Sequence, residues 1–166
     1  MNKKKFIILA VCIVFISIIF YMISKKTIAT PDKIIVHDNG KLTEVSKDSS
    51  EFNEIVKLTK GRFNFNMYIT KDYIDDSTIE YIRQGGVGIE FIYNDEQKCY
   101  INILLLQSIK YNKLYFQLED KKNDTSKYSV VNTFQYSDKY HYKDSSRGPL
   151  KYSKELVDLV NKIKDK

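Results

Sequence analysis

Residues 6–23 (FIILAVCIVFISIIFYMI) carry no charged side chain, and this run constrains what the chain can become more than any other feature. Its 18 residues reach the lower length for a helix crossing a hydrocarbon core of about 30 Å, at about 1.5 Å per residue. Lys3, Lys4 and Lys5 precede the run, and Lys25 and Lys26 follow it. Excess positive charge ahead of an apolar segment holds the N-terminus in the cytoplasm. The expectation is therefore an uncleaved signal anchor of a single-pass cell-membrane protein. Residues 1–5 would be a cytoplasmic tail, residues 24–32 a linker with Pro31, and residues 33–166 a domain outside the cytoplasm.

Two other readings of the run stand beside the anchor. Thr27-Ile28-Ala29 offers a small residue at the last position of a possible signal-cleavage site, giving a secreted protein, although the run exceeds the usual h-region of about 7–15 residues and two lysines intervene. Leu9, Ala10, Val11 and Cys12 resemble a lipobox, which would make Cys12 a lipid attachment site; Val11 stands where a small residue is expected, and the run continues well past Cys12.

The net charge of +6 suggests nucleic acid until its distribution is read. Three of the 27 Lys and Arg precede the run, so from residue 24 onward 24 basic residues face 21 acidic ones. With no basic stripe and no binding motif, nucleic acid is not an expected partner. The only cysteines, Cys12 and Cys99, cannot pair if one lies in lipid, so no disulfide framework follows.

Along the domain, Asn39-Gly40 between two apolar-rich stretches, 33–37 and 42–45, predicts a β-hairpin, because both residues tolerate the positive φ angles of a type I′ turn. Asp48 or Ser50 is expected to cap a helix over 51–60 that turns Phe52, Ile55, Val56 and Thr59 to one side and stops at Gly61. Period-two alternation over 62–69 predicts a strand. Ser77 and Glu80 have capping-box spacing for a short helix over 78–84. Strands are then expected over 89–93, 99–106, 114–118 and 128–136, separated by polar turns such as 94–98, with 99–106 apolar on both faces and therefore central. Ser153 should cap a last helix bearing Leu156, Leu159, Val160 and Ile163 at helical spacing. The expected fold class is α+β: an antiparallel meander of five to six strands with two or three helices packed on it, behind one transmembrane helix.

No catalytic constellation emerges. Gly85, Gly86 and Gly88 follow a helix and open a strand, the reverse of a phosphate-binding loop, and fit a helix end followed by a tight approach to the sheet. Asp72, Asp75, Asp76 and Glu80 form the densest acidic cluster, and Asp75, Asp76 and Glu80 are candidates to hold a hard cation or to serve a hydrolase. Their spacing misses the EF-hand loop, and capping carboxylates at a helix start, where the dipole favours negative charge, are the better explanation of the cluster. His37 and His141 are the only histidines and lack zinc-site spacing. No cofactor is expected.

Phe134, Tyr136, Tyr140, Tyr142 and Tyr152 crowd a short region among Lys139, Lys143 and Arg147. Tyrosine joins a large apolar body to a polar tip and is enriched in recognition surfaces. Tyr140, His141, Tyr142 and Arg147 are therefore the candidate ligand- or partner-binding residues.

The order hairpin, helix, short capped helix, then Gly85-Gly86-Val87-Gly88-Ile89-Glu90-Phe91-Ile92-Tyr93 leading into a meander, resembles a family of small uncharacterised extracytoplasmic proteins of low-GC Gram-positive bacteria. The resemblance spans roughly residues 33–118 and implies an exported α+β domain behind an anchor, with no activity attached. The functional expectation is a non-enzymatic, membrane-anchored domain that touches the lipid bilayer through residues 6–23 and binds an envelope protein or a cell-wall component. The alternatives are an extracytoplasmic hydrolase or metal-binding protein using the acidic cluster, and an immunity or inhibitor protein at the membrane face.

Overall fold

The structure, a computed structural model, describes residues 8–14, 16–17, 28–64, 67–70, 74–102, 105–120, 131–143 and 145–164. Residues 8–14 and 16–17 are helical and are labelled α1. Among the described residues no helix is long and apolar enough to cross a membrane, and the expected anchor at 6–23 falls partly outside them.

The chain is α+β. Strands β1 (Lys33–Asp38) and β2 (Lys41–Val45) form the expected hairpin, and Asn39 and Gly40 take φ of 50° and 85° at its turn. Helix α2 (Ser50–Gly61) follows, then β3 (Tyr68–Ile69), α3 (Asp76–Gly85), the long strands β4 (Val87–Asn102) and β5 (Gln107–Glu119), the short strands β6 (Gln135–Ser137) and β7 (Arg147–Gly148), and α4 (Lys154–Lys164). Among the described residues one antiparallel sheet has the order β2-β1-β4-β5-β6, and β3 pairs with β7 in a small second sheet.

Alternation along the strands sorts side chains to two faces. Ile34 and Val36 of β1 and Ile89 and Phe91 of β4 share one core with Phe52, Ile55 and Val56 of α2 and with Leu156, Val160 and Ile163 of α4. Phe63, Phe91, Phe116 and Phe134 meet in that core with ring centroids 5.3 to 6.2 Å apart. The opposite face carries α3, whose Ile79 and Ile82 pack with Ile74, Tyr115 and Tyr142 in a smaller core. The polar residues that alternate with the main core therefore lie beneath α3.

Several sequence expectations change. The α2 cap is Ser49, which accepts from the Phe52 N–H at 3.1 Å, in place of Asp48 or Ser50. The α3 cap is Asp75 in place of Ser77: one carboxylate oxygen accepts from the Thr78 N–H, the Thr78 hydroxyl and the Ser77 hydroxyl, so Ser77 serves the cap instead of being it. Of the strand expected over 62–69, residues 65 and 66 lie outside the described residues, the strand found among the others is Tyr68–Ile69, and Arg62 is instead the C-cap of α2. The polar stretch 94–98 is no turn; it continues β4 across a register shift between Ile92 and Gln97. The apolar strand expected to reach residue 106 ends at Asn102, and the chain turns through Leu105 and Leu106, both exposed. Of the strand expected over 128–136, residues 128–130 lie outside the described residues and the strand found is Gln135–Ser137. Ser153 caps α4 as expected, with the Leu156 N–H donating to its hydroxyl at 3.2 Å.

Among the described residues, packing with the domain reaches back into the stretch expected to be linker, as far as Ile28. Ile28 is 1% exposed in the main core. Ala29 is held by Tyr111, whose hydroxyl accepts its N–H at 3.2 Å, and by Tyr93, whose hydroxyl donates to its carbonyl at 3.2 Å.

Candidate functional site

A glutamate on the central strand of the sheet, β4, organises the face beneath α3. Glu90 is 6% exposed, and register places it between Ile35 of β1 and Tyr115 of β5. A carboxylate there must be paired, since an isolated buried charge is prohibitively costly. Arg83, in the last turn of α3, supplies the pair by donating from Nη2 to Glu90 Oε1. His37 Nε2 lies 3.2 Å from Glu90 Oε2. An ionised carboxylate only accepts, so the imidazole presents N–H there. The Tyr142 hydroxyl donates to Glu90 Oε1 at 2.6 Å and accepts from Arg83 Nη2 at 2.6 Å.

Burial alone would raise the Glu90 carboxyl; the His37 hydrogen bond and the Arg83 charge, with Tyr142, outweigh it and hold the group at about 2. Burial pushes the Tyr142 phenol well above its usual range, and the neighbouring Glu90 charge adds to that. Tyr142 is thus a fixed neutral donor. The Arg83 guanidinium lies 5.2 Å from the Tyr115 ring centre and 5.0 Å from that of Tyr142, sandwiched between aromatic faces.

Gly88 makes room for this arrangement. A Cβ there would sit 2.4 Å from the Tyr115 hydroxyl and 2.7 Å from its ring carbon Cζ, so the bare backbone lets the tyrosine lie across β4 and meet His37 edge-on, with centroids 5.5 Å apart. The expectation that the glycine cluster ends a helix and approaches the sheet closely matches this geometry: Gly85 closes α3, the Gly86 N–H returns to the Ile82 carbonyl, and Gly88 takes the ring.

The network floors a cleft of about 440 Å³ between the β1–β2 hairpin and α3. Ile35 and Leu42 form its apolar wall, Glu80 and Gln84 its polar rim, and Arg83 and Glu90 its base. The hairpin turn is fastened to α3 by the Asn39 N–H to the Gly86 carbonyl at 3.0 Å and by the Gly40 N–H to the Arg83 carbonyl at 3.2 Å. The two walls are therefore fixed relative to each other.

The residues singled out in the sequence divide. Tyr140 is 75% exposed and His141 also projects outward, whereas Tyr142 and Arg147 are buried. The four do not share one open surface. Arg147 is a local brace: it donates to the carbonyls of Ser145 and Ser146 and, at 2.9 Å, to the Tyr136 hydroxyl, with its guanidinium 4.8 Å from the Tyr136 ring centre.

The structure does join two sets the sequence kept apart. Asp76 accepts from the Tyr142 N–H at 2.8 Å and pairs with His141 Nδ1 at 2.8 Å. Those contacts, Tyr142 first, lower its carboxyl. The loop 138–143 is thus pinned to the start of α3, and Tyr142 runs from that surface contact to Glu90. Asp75 is committed to its cap, which holds its carboxyl at about 2, chiefly through the Thr78 hydroxyl, and Glu80 accepts from Gln84 at 3.0 Å. Asp72 lies outside the described residues. Among the described residues no group of three or more His, Cys, Asp or Glu is placed to hold a metal ion.

His37, Arg83 and Glu90 were not singled out as a group by sequence reasoning. The available signal was Glu90 itself, a charge between Ile89 and Phe91 in a stretch otherwise fit to be buried. No protein-family model, curated protein or solved structure matches the chain.

Proposed function

We propose that the protein is a single-pass, membrane-anchored domain acting outside the cytoplasm as a non-enzymatic binding module, and that it receives its partner, an envelope protein or a cell-wall component, in the cleft above Glu90. The anchor part of this reading rests on the uncharged run at 6–23 and its lysine flanks. The binding part rests on one observation: a fixed-walled cleft of about 440 Å³ whose basal charges are matched to each other before any ligand arrives. Preorganisation of this kind lowers the ordering cost of association. Concave sites with apolar walls and a few placed polar groups are where ligands bind.

Photo-crosslinking in intact cells tests the reading. A benzophenone side chain replacing Leu42, which is 61% exposed on the cleft wall, should yield a discrete adduct, and one replacing Tyr140, exposed on the 138–143 loop, should not. A discrete adduct from Tyr140 alone would move the binding surface to that loop, and none from either would remove the binding reading.

A further inference from the structure

The path of the chain gives the domain a direction. The Asp32 N–H bonds the Ile92 carbonyl at 2.9 Å, and Ala29 is held between Tyr93 and Tyr111. Walking back from β1 toward the apolar run therefore leads along β4 toward its C-terminal end. Beyond Ile92 the β4–β5 hairpin projects past β1, from Gln97 opposite Tyr111 to Asn102 opposite Gln107. The hairpin tip and the arriving N-terminal segment thus lie at the same end of the sheet, and the Asn39-Gly40 turn beside the cleft lies at the other.

That tip is built against the usual rules for an exposed turn. Leu105 and Leu106 are 67% and 65% exposed, and Leu106 holds φ of 53°, a conformation that turns assign to glycine or asparagine. Of the exposed aliphatic side chains described beyond α1 (Leu42, Ile69, Leu105 and Leu106), two form this tip. Behind the tip, Lys98 and Lys110 face each other across the strands, with the Lys98 ammonium 5.4 Å from the Tyr100 ring centre. Lys110 also pairs with Glu96 at 2.8 Å. Aliphatic tip, then tyrosine and lysine, is the order of groups that suits a bilayer from acyl chains to headgroups.

We propose that this tip docks on the lipid surface from which the N-terminal segment emerges, so that the domain is held at two points with its cleft turned away from the membrane. The proposal rests on the anchor reading above. Only residues 24–27 separate the apolar run from buried Ile28, a reach of at most about 18 Å from residue 23 to residue 28, which keeps this end of the sheet beside the bilayer.

The test uses the full chain with Cys12→Ser, reconstituted in vesicles of phosphatidylcholine and phosphatidylglycerol that include a lipid carrying a nitroxide high on its acyl chain. A bimane is attached after Leu106→Cys or, for comparison, after Lys41→Cys at the opposite end. Both sites are exposed, so neither change disturbs the core. Quenching at position 106 should exceed that at position 41 at least threefold. Equal quenching in protein that floats with the vesicles would overturn the docking and leave the anchor standing. Failure of the full chain to float would overturn both.

Discussion

Glu90→Gln tests the energetics of the cleft floor. The substitution keeps the side chain's size and removes the charge that Arg83 and His37 face, and Glu90 and Arg83 are respectively 8% and 17% exposed at the side chain. Removing one partner of a buried pair leaves the other uncompensated and costs about 3–5 kcal/mol. The depressed carboxyl points the same way: a group held at about 2 against an ordinary 4.5 corresponds to about 3 kcal/mol of stability at neutral pH. With a urea dependence of about 2 kcal/mol per molar, typical of a domain this size, the unfolding midpoint in detergent micelles should fall by about 1.5–2.5 M. His141→Ala, which breaks an ion pair exposed by 76% and 52% at its two side chains, should cost less than about 1 kcal/mol.

The pH dependence has a definite sign. Because folding depresses the Glu90 carboxyl, its contribution is complete above the ordinary value of 4.5 and is lost as pH falls toward about 2. The stability difference between the wild type and Glu90→Gln should therefore shrink across that window. A midpoint within about 0.3 M of the wild type at pH 7 (about 0.6 kcal/mol at that slope), or a difference that stays constant down to pH 2, would refute the reasoning.

Two further outcomes follow from burial and close approach. Gly88→Ala places a methyl where the Tyr115 ring lies, and overpacking of this kind should cost about 1–3 kcal/mol, read as a lower urea midpoint together with an altered near-ultraviolet tyrosine signal; an unchanged spectrum would show that the ring does not rest on Gly88. Cys99 is fully buried and burial pushes its thiol up to about 12, so in the Cys12→Ser chain a maleimide at pH 8 should label it only after urea is added, and rapid labelling of folded protein would contradict the packing of β4.

What the sequence disclosed was what neighbours along the chain decide. The Asn39-Gly40 turn and the Ser153 cap depend on residues within a few positions, and both form as the local chemistry requires. The Asp75 cap shows the limit of such rules. Asp75 and Ser77 both suit a helix start, and the aspartate prevails because its carboxylate accepts from three donors at once. Polarity over 94–98 suggests a turn, whereas an exposed segment of a long hairpin can keep polar residues in strand geometry across a register shift.

The site was harder to see because its members are far apart in the chain. His37, Arg83, Glu90 and Tyr142 meet only when β1, α3, β4 and the 138–143 loop are assembled. Tyr140 and Tyr142 look alike in sequence, yet the bridge between Ser137 and Tyr142 turns one inward and leaves the other in solvent. That Glu90 lay within an apolar strand was visible; that Arg83 would reach it from the last turn of α3 was not.

The central claim, that the cleft above Glu90 is where the partner is held, is tested most directly by blocking it. Gln84 is exposed on the rim, so Gln84→Trp fills the opening without entering the core. In cells carrying the Leu42 crosslinker, that change should abolish the adduct while the protein still accumulates in the membrane fraction. An adduct of undiminished yield from the blocked cleft would contradict the account.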